Sequence, residues 1–165
     1  MDKITPCLWF DGDAEEAARF YTAIFPDSSI DAVNRSPGET PSGPKDMVLT
    51  VDFTLAGHSY IALNGGPEFQ FNEAISLTVD CADQAEVDRY WDALLANGGE
   101  ESVCGWLKDR FGVSWQVTPR QLPEMLKSSD REAAARALEA MLKMVKIDVA
   151  TLERAYSGEV VGSRA

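Results

Sequence analysis

One histidine, three cysteines, and a few carboxylates and amides set in strand-like runs are the chain's material for chemistry. His58 follows Gly57 in the run A-G-H-S, which reads as a hairpin turn. A general base needs a polar partner within hydrogen-bond reach. No Ser-His-Asp or Cys-His arrangement can be assembled around this turn residue. Cys7, Cys81 and Cys104 lie far apart with no C-x-x-C spacing. An odd, dispersed set is neither a disulfide framework nor a zinc site. Cys7 and Cys104 fall on strand-like stretches without a basic neighbour to draw a thiol toward thiolate.

Asp52 and Gln116 are more informative. Met47, Leu49, Val51, Phe53 and Leu55 alternate with Thr50, Asp52 and Thr54. Val113, Trp115 and Val117 alternate with Ser114, Gln116 and Thr118. Period-two alternation predicts strands with one apolar and one polar face. The apolar face packs on a helix, and the polar face meets solvent or a cavity. Strand interiors disfavour Asp. Beside a cavity, Asp52 is a partly buried carboxylate whose pKa burial would raise, a base or a substrate anchor. Without one, it is satisfied by Thr50 or Thr54, or exposed. Parity extended over four strands gives a candidate binding cleft. Its polar lining is Thr50, Asp52, Ser76 and Gln116, with Trp9, Tyr60 and Trp106 as walls, and Asp52 is the best catalytic candidate. Trp91 and Trp115 fall on core faces. Phe69 and Phe71 flank Gln70 in a loop after a Gly-Gly-Pro turn, where they could lid a pocket or plug a seam.

The elements that would position these residues come in two similar sets. Residues 13–21 read D-A-E-E-A-A-R-F-Y and residues 83–91 read D-Q-A-E-V-D-R-Y-W. Asp13 matches Asp83, Glu16 matches Glu86 and Arg19 matches Arg89. An Asp followed three residues later by Glu is a helix start, so both aspartates are expected to cap equivalent helices. Ala14, Ala17, Ala18, Tyr21, Ile24 and Phe25 form one apolar stripe; Val87, Tyr90, Trp91, Leu94 and Leu95 form the other.

A strand precedes each helix, at Leu8–Phe10 and at Ile75–Val79. Three follow each: Ser29–Asn34, Met47–Leu55 and Ser59–Leu63 after the first, and Glu100–Cys104, Trp106–Lys108 and Val113–Thr118 after the second. The Pro- and Gly-rich segment Ser36–Pro44 reads as a mobile loop. Beyond Pro119 the chain turns helical, with a stripe of Ala134, Leu138, Met141, Leu142 and Val145 suited to a core or a dimer face. Asp148 can cap a last helix carrying Leu152 and Tyr156, and Val160–Ala165 reads as a frayed tail. The expected organisation is a single α+β domain over 1–160, with module one at 1–70, module two at 71–120 and a helical extension at 121–160.

The chain has 165 residues, 45% of them hydrophobic, enough for a sizeable core. Its net charge of −12 argues against nucleic acid or an anionic membrane as partner. No apolar stretch approaches the roughly 20 residues of a membrane helix. Asp2 and Lys3 directly follow Met1, unlike a signal peptide, so the expected residence is cytoplasmic.

Two copies of strand–helix–three strands resemble the vicinal-oxygen-chelate (glyoxalase/bleomycin-resistance) superfamily. The run W-F-D-G-D-A-E-E-A-A-R-F-Y-T-A-I-F-P-D-S resembles the opening of its PhnB-like members. The runs N-G-G-P-E-F-Q-F-N-E-A-I-S-L and C-G-W-L-K-D-R-F-G-V-S-W-Q-V do the same, and the resemblance spans residues 4–156. Members of this subgroup carry the label "3-demethylubiquinone-9 3-methyltransferase domain". The resemblance implies two curved four-stranded sheets walling a cleft, helices on the convex outside, and a homodimer. It also implies a small organic molecule as partner, either transformed by an enzyme or, as in the resistance branch, only trapped between aromatic walls. The superfamily's metalloenzymes bind a divalent ion at four inward strand positions. Carried over, these are Thr5 (Pro6 without a gap), Ala74, Gln116, and Asp52 (Thr50 if the register slips). At most one carboxylate is a poor offer to such an ion, so no metal is expected. No cofactor is expected either. S-adenosylmethionine usually sits on a glycine-rich strand-to-helix turn, and no G-x-G-x-x-G occurs.

Overall fold

A computed structural model describes residues 3–159. The chain forms two compact units, one within residues 1–71 and one within 72–165. In the first, β1 (Cys7–Phe10) leads to α1 (Ala14–Ile24), then β2 (Ser29–Arg35), β3 (Val48–Leu55) and β4 (His58–Asn64). The strand order is β1-β4-β3-β2, with β1 parallel to β4 and the other pairs antiparallel. The second unit repeats the plan with β5 (Leu77–Cys81), α2 (Gln84–Leu95), β6 (Glu100–Glu101), β7 (Trp106–Lys108) and β8 (Ser114–Pro119). Its order is β5-β8-β7-β6, again with one parallel pair. The repeat in the sequence is thus a repeat of topology, and the fold is α+β with two open four-stranded sheets.

Alternation decides what each sheet buries. Val51, Phe53 and Leu55 of β3 are buried, and α1 packs across β3 and β4 with Ala14, Ala17, Ala18 and Tyr21. In the second unit Trp115 and Val117 pack with Val87, Tyr90, Trp91 and Leu94 of α2. A fully buried aromatic or leucine of this kind contributes about 1.5–3 kcal/mol. Trp91 Nε1 donates to Glu101 Oε1 at 3.0 Å, which satisfies the indole of this buried ring.

The two helix starts differ. Asp83 accepts from the Glu86 backbone N–H at 3.0 Å, and the Glu86 carboxylate accepts from the Ala82 N–H at 2.8 Å. Asp13 stands at the equivalent position, but its side chain makes no cap hydrogen bond. Its backbone (φ −95°, ψ 9°) lacks the extended conformation that aims a capping side chain. The Ala14 N–H donates instead to Oδ1 of Asn64, 50 residues away, at 2.9 Å.

One further expectation is corrected. The strand expected over Glu100–Cys104 is only Glu100–Glu101. Cys104 lies in a turn with φ +60°, not on a strand, and its N–H donates to Met144 O. The next residue explains the turn: a Cβ on Gly105 would lie 2.9 Å from Ile147 Cγ1 and 3.0 Å from Val117 O. The segment Ser36–Pro44 has internal order. Ser36 is buried, its N–H donates to Met47 O, and Thr40 bridges Gly43. The C-terminal stripe divides between core and surface. α4 (Arg131–Met141) buries Ala133, Ala134 and Ala137, whereas Leu138, Leu142 and Val145 are 42%, 59% and 42% exposed. The tail expected to fray, Val160–Ala165, lies outside the described residues.

The extension has its own small core. Leu122 of α3 (Gln121–Leu126), Ile147, and Leu152 of α5 (Val149–Ser157) cluster with Met125, Met141 and Met144. The Gln84 side chain ties it to α2 by donating to Ile147 O and accepting from Val149 N–H. Asp148 caps α5 through the Thr151 N–H, and Lys146 pairs with Asp88 at 2.8 Å. Both carboxyls are held below the usual range, Asp148 chiefly by its hydrogen bonds to Thr151 and Asp88 chiefly by that from Lys146. A depressed folded pKa stabilises above the unfolded value of about 3.9 and is lost as pH falls through the folded value. The hydrogen-exchange protection of α5, taken relative to the intrinsic exchange rate, is therefore expected to fall selectively below about pH 4.

Candidate functional site

Each sheet has a face that its helix does not cover, and strand register decides what lies there. In the first unit Trp9 stands opposite Leu63, Thr50 opposite Leu63 and Asn34, and Asp52 opposite Ile61 and Ala32. Partners in register share a face. Trp9, Thr50 and Asp52 therefore lie together on the open face, as parity predicted. Asp52 is satisfied by neither neighbouring threonine. Asn34 Nδ2 donates to Asp52 Oδ2 at 3.0 Å and to Thr50 Oγ1 at 3.1 Å, while Thr54 donates to Asp31.

Tyr60 is corrected. It stands opposite Phe53, and the two rings stack at 5.4 Å on the α1 side of the sheet. It belongs to a file of rings, Tyr21–Phe53–Tyr60, rather than to a wall of the open face. Burial pushes its phenol pKa up. It still borders a cavity of about 190 Å³ with Thr5, Asp31, Asp52 and Ser59.

The Trp9 indole is set by the turn after β4. Its Nε1 donates to Gly66 O at 2.8 Å, and its ring meets Phe69 edge-on at 5.0 Å. Phe71 packs separately on Phe10. A Cβ on Gly65 would fall 2.2 Å from the Trp9 ring. We expect Gly65→Ala to expel this indole and to cost about 1–3 kcal/mol, as overpacking does. A changed Trp9 fluorescence, read in a chain whose other tryptophans are replaced, checks it.

In the second unit Thr78 and Trp106 flank Gln116, and Lys108 stands opposite Ser114 and Glu100. Gln116 Nε2 donates to Ser76 Oγ at 2.9 Å. Ser76, Trp106 and Gln116 thus share the open face. Lys108 forms an ion pair with Glu73, whose carboxyl this hydrogen bond holds below its usual range. A cavity of about 140 Å³ lies here, bordered by Glu73, Glu100, Trp106, Lys108 and Ser114 among others. Sequence reasoning missed this group, because Glu73 lies outside any strand and Glu100 and Lys108 read as solvated charges.

Asp109 was missed too. It is 3% exposed and accepts from the Phe111 and Val113 N–H groups and from Trp115 Nε1 at 2.8 Å. It fixes the β7–β8 connection and so the strand that carries Gln116. His58 is exposed at the start of β4, after a turn in which Ala56 and Gly57 both have positive φ. Cys81 is buried, and its thiol is pushed up to about 12, first by burial and then by the Glu86 and Asp80 carboxylates. Native protein at pH 8 is expected to show Ellman's reagent at most Cys7 and Cys104, the third thiol appearing only on unfolding.

Residues 2–118 match a protein-family model described as 3-demethylubiquinone-9 3-methyltransferase. The chain belongs to this family. A PhnB protein from Bacillus cereus, described with the same methyltransferase name, is 35% identical. The match covers 72% of this chain and 99% of that one, with a TM-score of 0.64. The Pseudomonas aeruginosa protein PA1353 is 23% identical over 72% of this chain and 98% of its own, with a TM-score of 0.59, and shares the fold. No curated protein matches the sequence. The family model and the fold place the chain among PhnB-like proteins. The α3–α5 extension lies beyond the matched residues.

The family description implies a methyl donor, and the residues do not fit the usual cradle for one. Gly65 follows a strand but leads to no helix, and its missing Cβ is needed by Trp9. The N-termini of α1, α2, α4 and α5 are occupied by Asn64, Asp83, Asp130 and Asp148. A superfamily metal fits no better. Ala74 has no donor and precedes β5, Gln116 is engaged by Ser76, and Asp52 by Asn34. Among the described residues no three His, Cys, Asp or Glu side chains group as ligands.

Proposed function

We propose that this PhnB-like protein binds a small organic molecule on the uncovered sheet faces, without a metal, as a homodimer. The observation that carries the reading is the make-up of those faces. Each combines an aromatic ring with anchored polar groups: Trp9 with Thr50 and Asp52, and Trp106 with Ser76 and Gln116. Polar groups held by neighbours on a rigid sheet, beside an apolar ring, suit a ligand site. Asp52 is the candidate catalytic residue, as the carboxylate on the first face. A methyl transfer has no support in the geometry. The protein is read as a single domain, and its charge and the lack, among the described residues, of a helix long and apolar enough to cross a membrane favour a small-molecule partner. The exposed Leu138, Leu142 and Val145 favour a dimer, since apolar side chains grouped on a surface commonly mark association.

The test is a thermal-shift screen of the full chain against a metabolite library, followed by incubation with each hit. A ligand that binds the folded state raises Tm by mass action. A hit consumed by the wild type and spared by Asp52→Asn supports catalysis. A hit recovered unchanged supports sequestration of the ligand instead. Sedimentation at twice 18.1 kDa supports the dimer, and a monomer at micromolar concentration refutes it.

A further inference from the structure

We infer that the cavity of the second unit binds a protonated amine, so that the small molecule taken by this protein carries a compact ammonium group. This rests on the reading of the open faces as ligand-binding surfaces. Ser114 provides the first observation. The residue is 2% exposed, it borders the cavity, and its Oγ has no hydrogen-bond partner among the described residues. A buried hydroxyl without a partner costs stability, so such a group is normally paired. An unpaired one that borders a cavity is available to a ligand.

The charges around it are the second observation. Glu73, Glu100 and Glu101 border the same cavity against a single cation, Lys108. Lys108 is taken by Glu73, and Glu101, in register with Leu107, turns to the α2 side, where it accepts from the Trp91 indole. Glu100 is exposed on the open face in register with Lys108, and among the described residues no hydrogen bond or ion pair engages its carboxylate. The cavity is therefore negative overall, with one carboxylate to spare. Trp106 supplies an aromatic wall on the same face, and a ring face attracts a cation. An anion would meet the Glu73 and Glu100 carboxylates, and a neutral alcohol would leave the spare charge unmatched. An ammonium group can donate to Ser114 Oγ and to Glu100 while facing Trp106. The volume of about 140 Å³ suits such a group and a few carbons, well below a drug-sized pocket.

Ser114 also gives a readout that a purely structural role would reverse. Removing an unpaired buried hydroxyl should stabilise the free protein, whereas removing a paired one destabilises it. The experiment titrates the full chain with n-butylammonium chloride, 1-butanol and sodium butyrate, following the Trp106 indole and backbone amides by NMR. We expect saturable shifts at Trp106 and Ser114 with n-butylammonium, and at least about tenfold weaker response to the other two. Glu100→Gln should weaken binding about tenfold. Ser114→Ala should weaken it several-fold while raising the Tm of the free protein by about 2–4 °C. A Ser114→Ala chain that melts lower, or binds n-butylammonium as well as the wild type, overturns the inference. Equal response to the three probes, or response to butanol or butyrate alone, overturns the ammonium assignment and leaves the broader small-molecule reading intact. No response to any probe also overturns it, and the metabolite screen then decides the broader reading by itself.

Discussion

Asp109→Ala is expected to lower the unfolding free energy by about 4 kcal/mol, the largest effect of any substitution outside the apolar core. The carboxylate is 3% exposed, and one change removes the acceptor of three donors. The Val113 N–H and the Trp115 indole stay buried, so each loses a partner without gaining water. A buried donor left unsatisfied costs about 1–3 kcal/mol, and bonds to a charged acceptor lie at the upper end. Asp109→Asn gives an internal comparison. It can keep the two backbone bonds to Oδ1 but turns an N–H toward the Trp115 N–H, and should lose about half as much. Urea unfolding of the three chains reads both values. A loss under about 1 kcal/mol for the alanine variant would show that this acid does not pin the β7–β8 connection.

Asn64→Ala should cost about 2–3 kcal/mol, for a different reason. Asn64 is 4% exposed and joins three elements. It ends β4, its Oδ1 caps the Ala14 N–H of α1, and its Nδ2 donates to Val48 O at the start of β3. Losing it removes a helix cap and leaves a carbonyl without its donor. Asp is the informative alternative. Asn64→Asp keeps the acceptor, and a charge at a helix N-terminus is favourable. It also loses the donor to Val48 O and places a carboxylate against that carbonyl. We expect Asn64→Asp to recover part of the loss and Asp13→Ala to cost under about 0.5 kcal/mol, because Asp13 makes no cap bond. A large Asp13→Ala effect with a small Asn64→Ala effect would reverse the assignment of the cap.

The open-face residues divide by what alternation can decide. Trp9, Thr50, Asp52 and Gln116 were legible because a strand's side chains alternate strictly, and knowing one buried neighbour settles the face of the next. Ser76 and Trp106 lie on the face assigned to them, Ser76 through its bond to Gln116 and Trp106 through its register with that residue. Tyr60 falls on the Phe53 side, because its face depends on the register of β4 against β3, which turns on the Ala56–Gly57 hairpin. A shift of one residue moves a side chain to the other side of the sheet. Asp52's partner was equally hidden. Thr50 and Thr54 are near in sequence, but Asn34 reaches it from the paired strand.

The family showed in the resemblance of three motif runs, whereas the amino-acid sequence by itself determined the repeat, the two helices with their buried stripes, and the polar and apolar faces of β3 and β8. These rest on local periodicity and capping patterns, which a single chain segment displays. Only the tertiary structure decided the rest. Asn64 rather than Asp13 caps α1, Asp109 anchors a tryptophan, and Ser114 is buried with its hydroxyl free beside Glu100 and Trp106. Each of these depends on residues brought together by strand register or loop closure across gaps of up to 50 positions. Propensity and spacing carry no record of such pairings, because the energies that select them arise only when the sheets and helices pack.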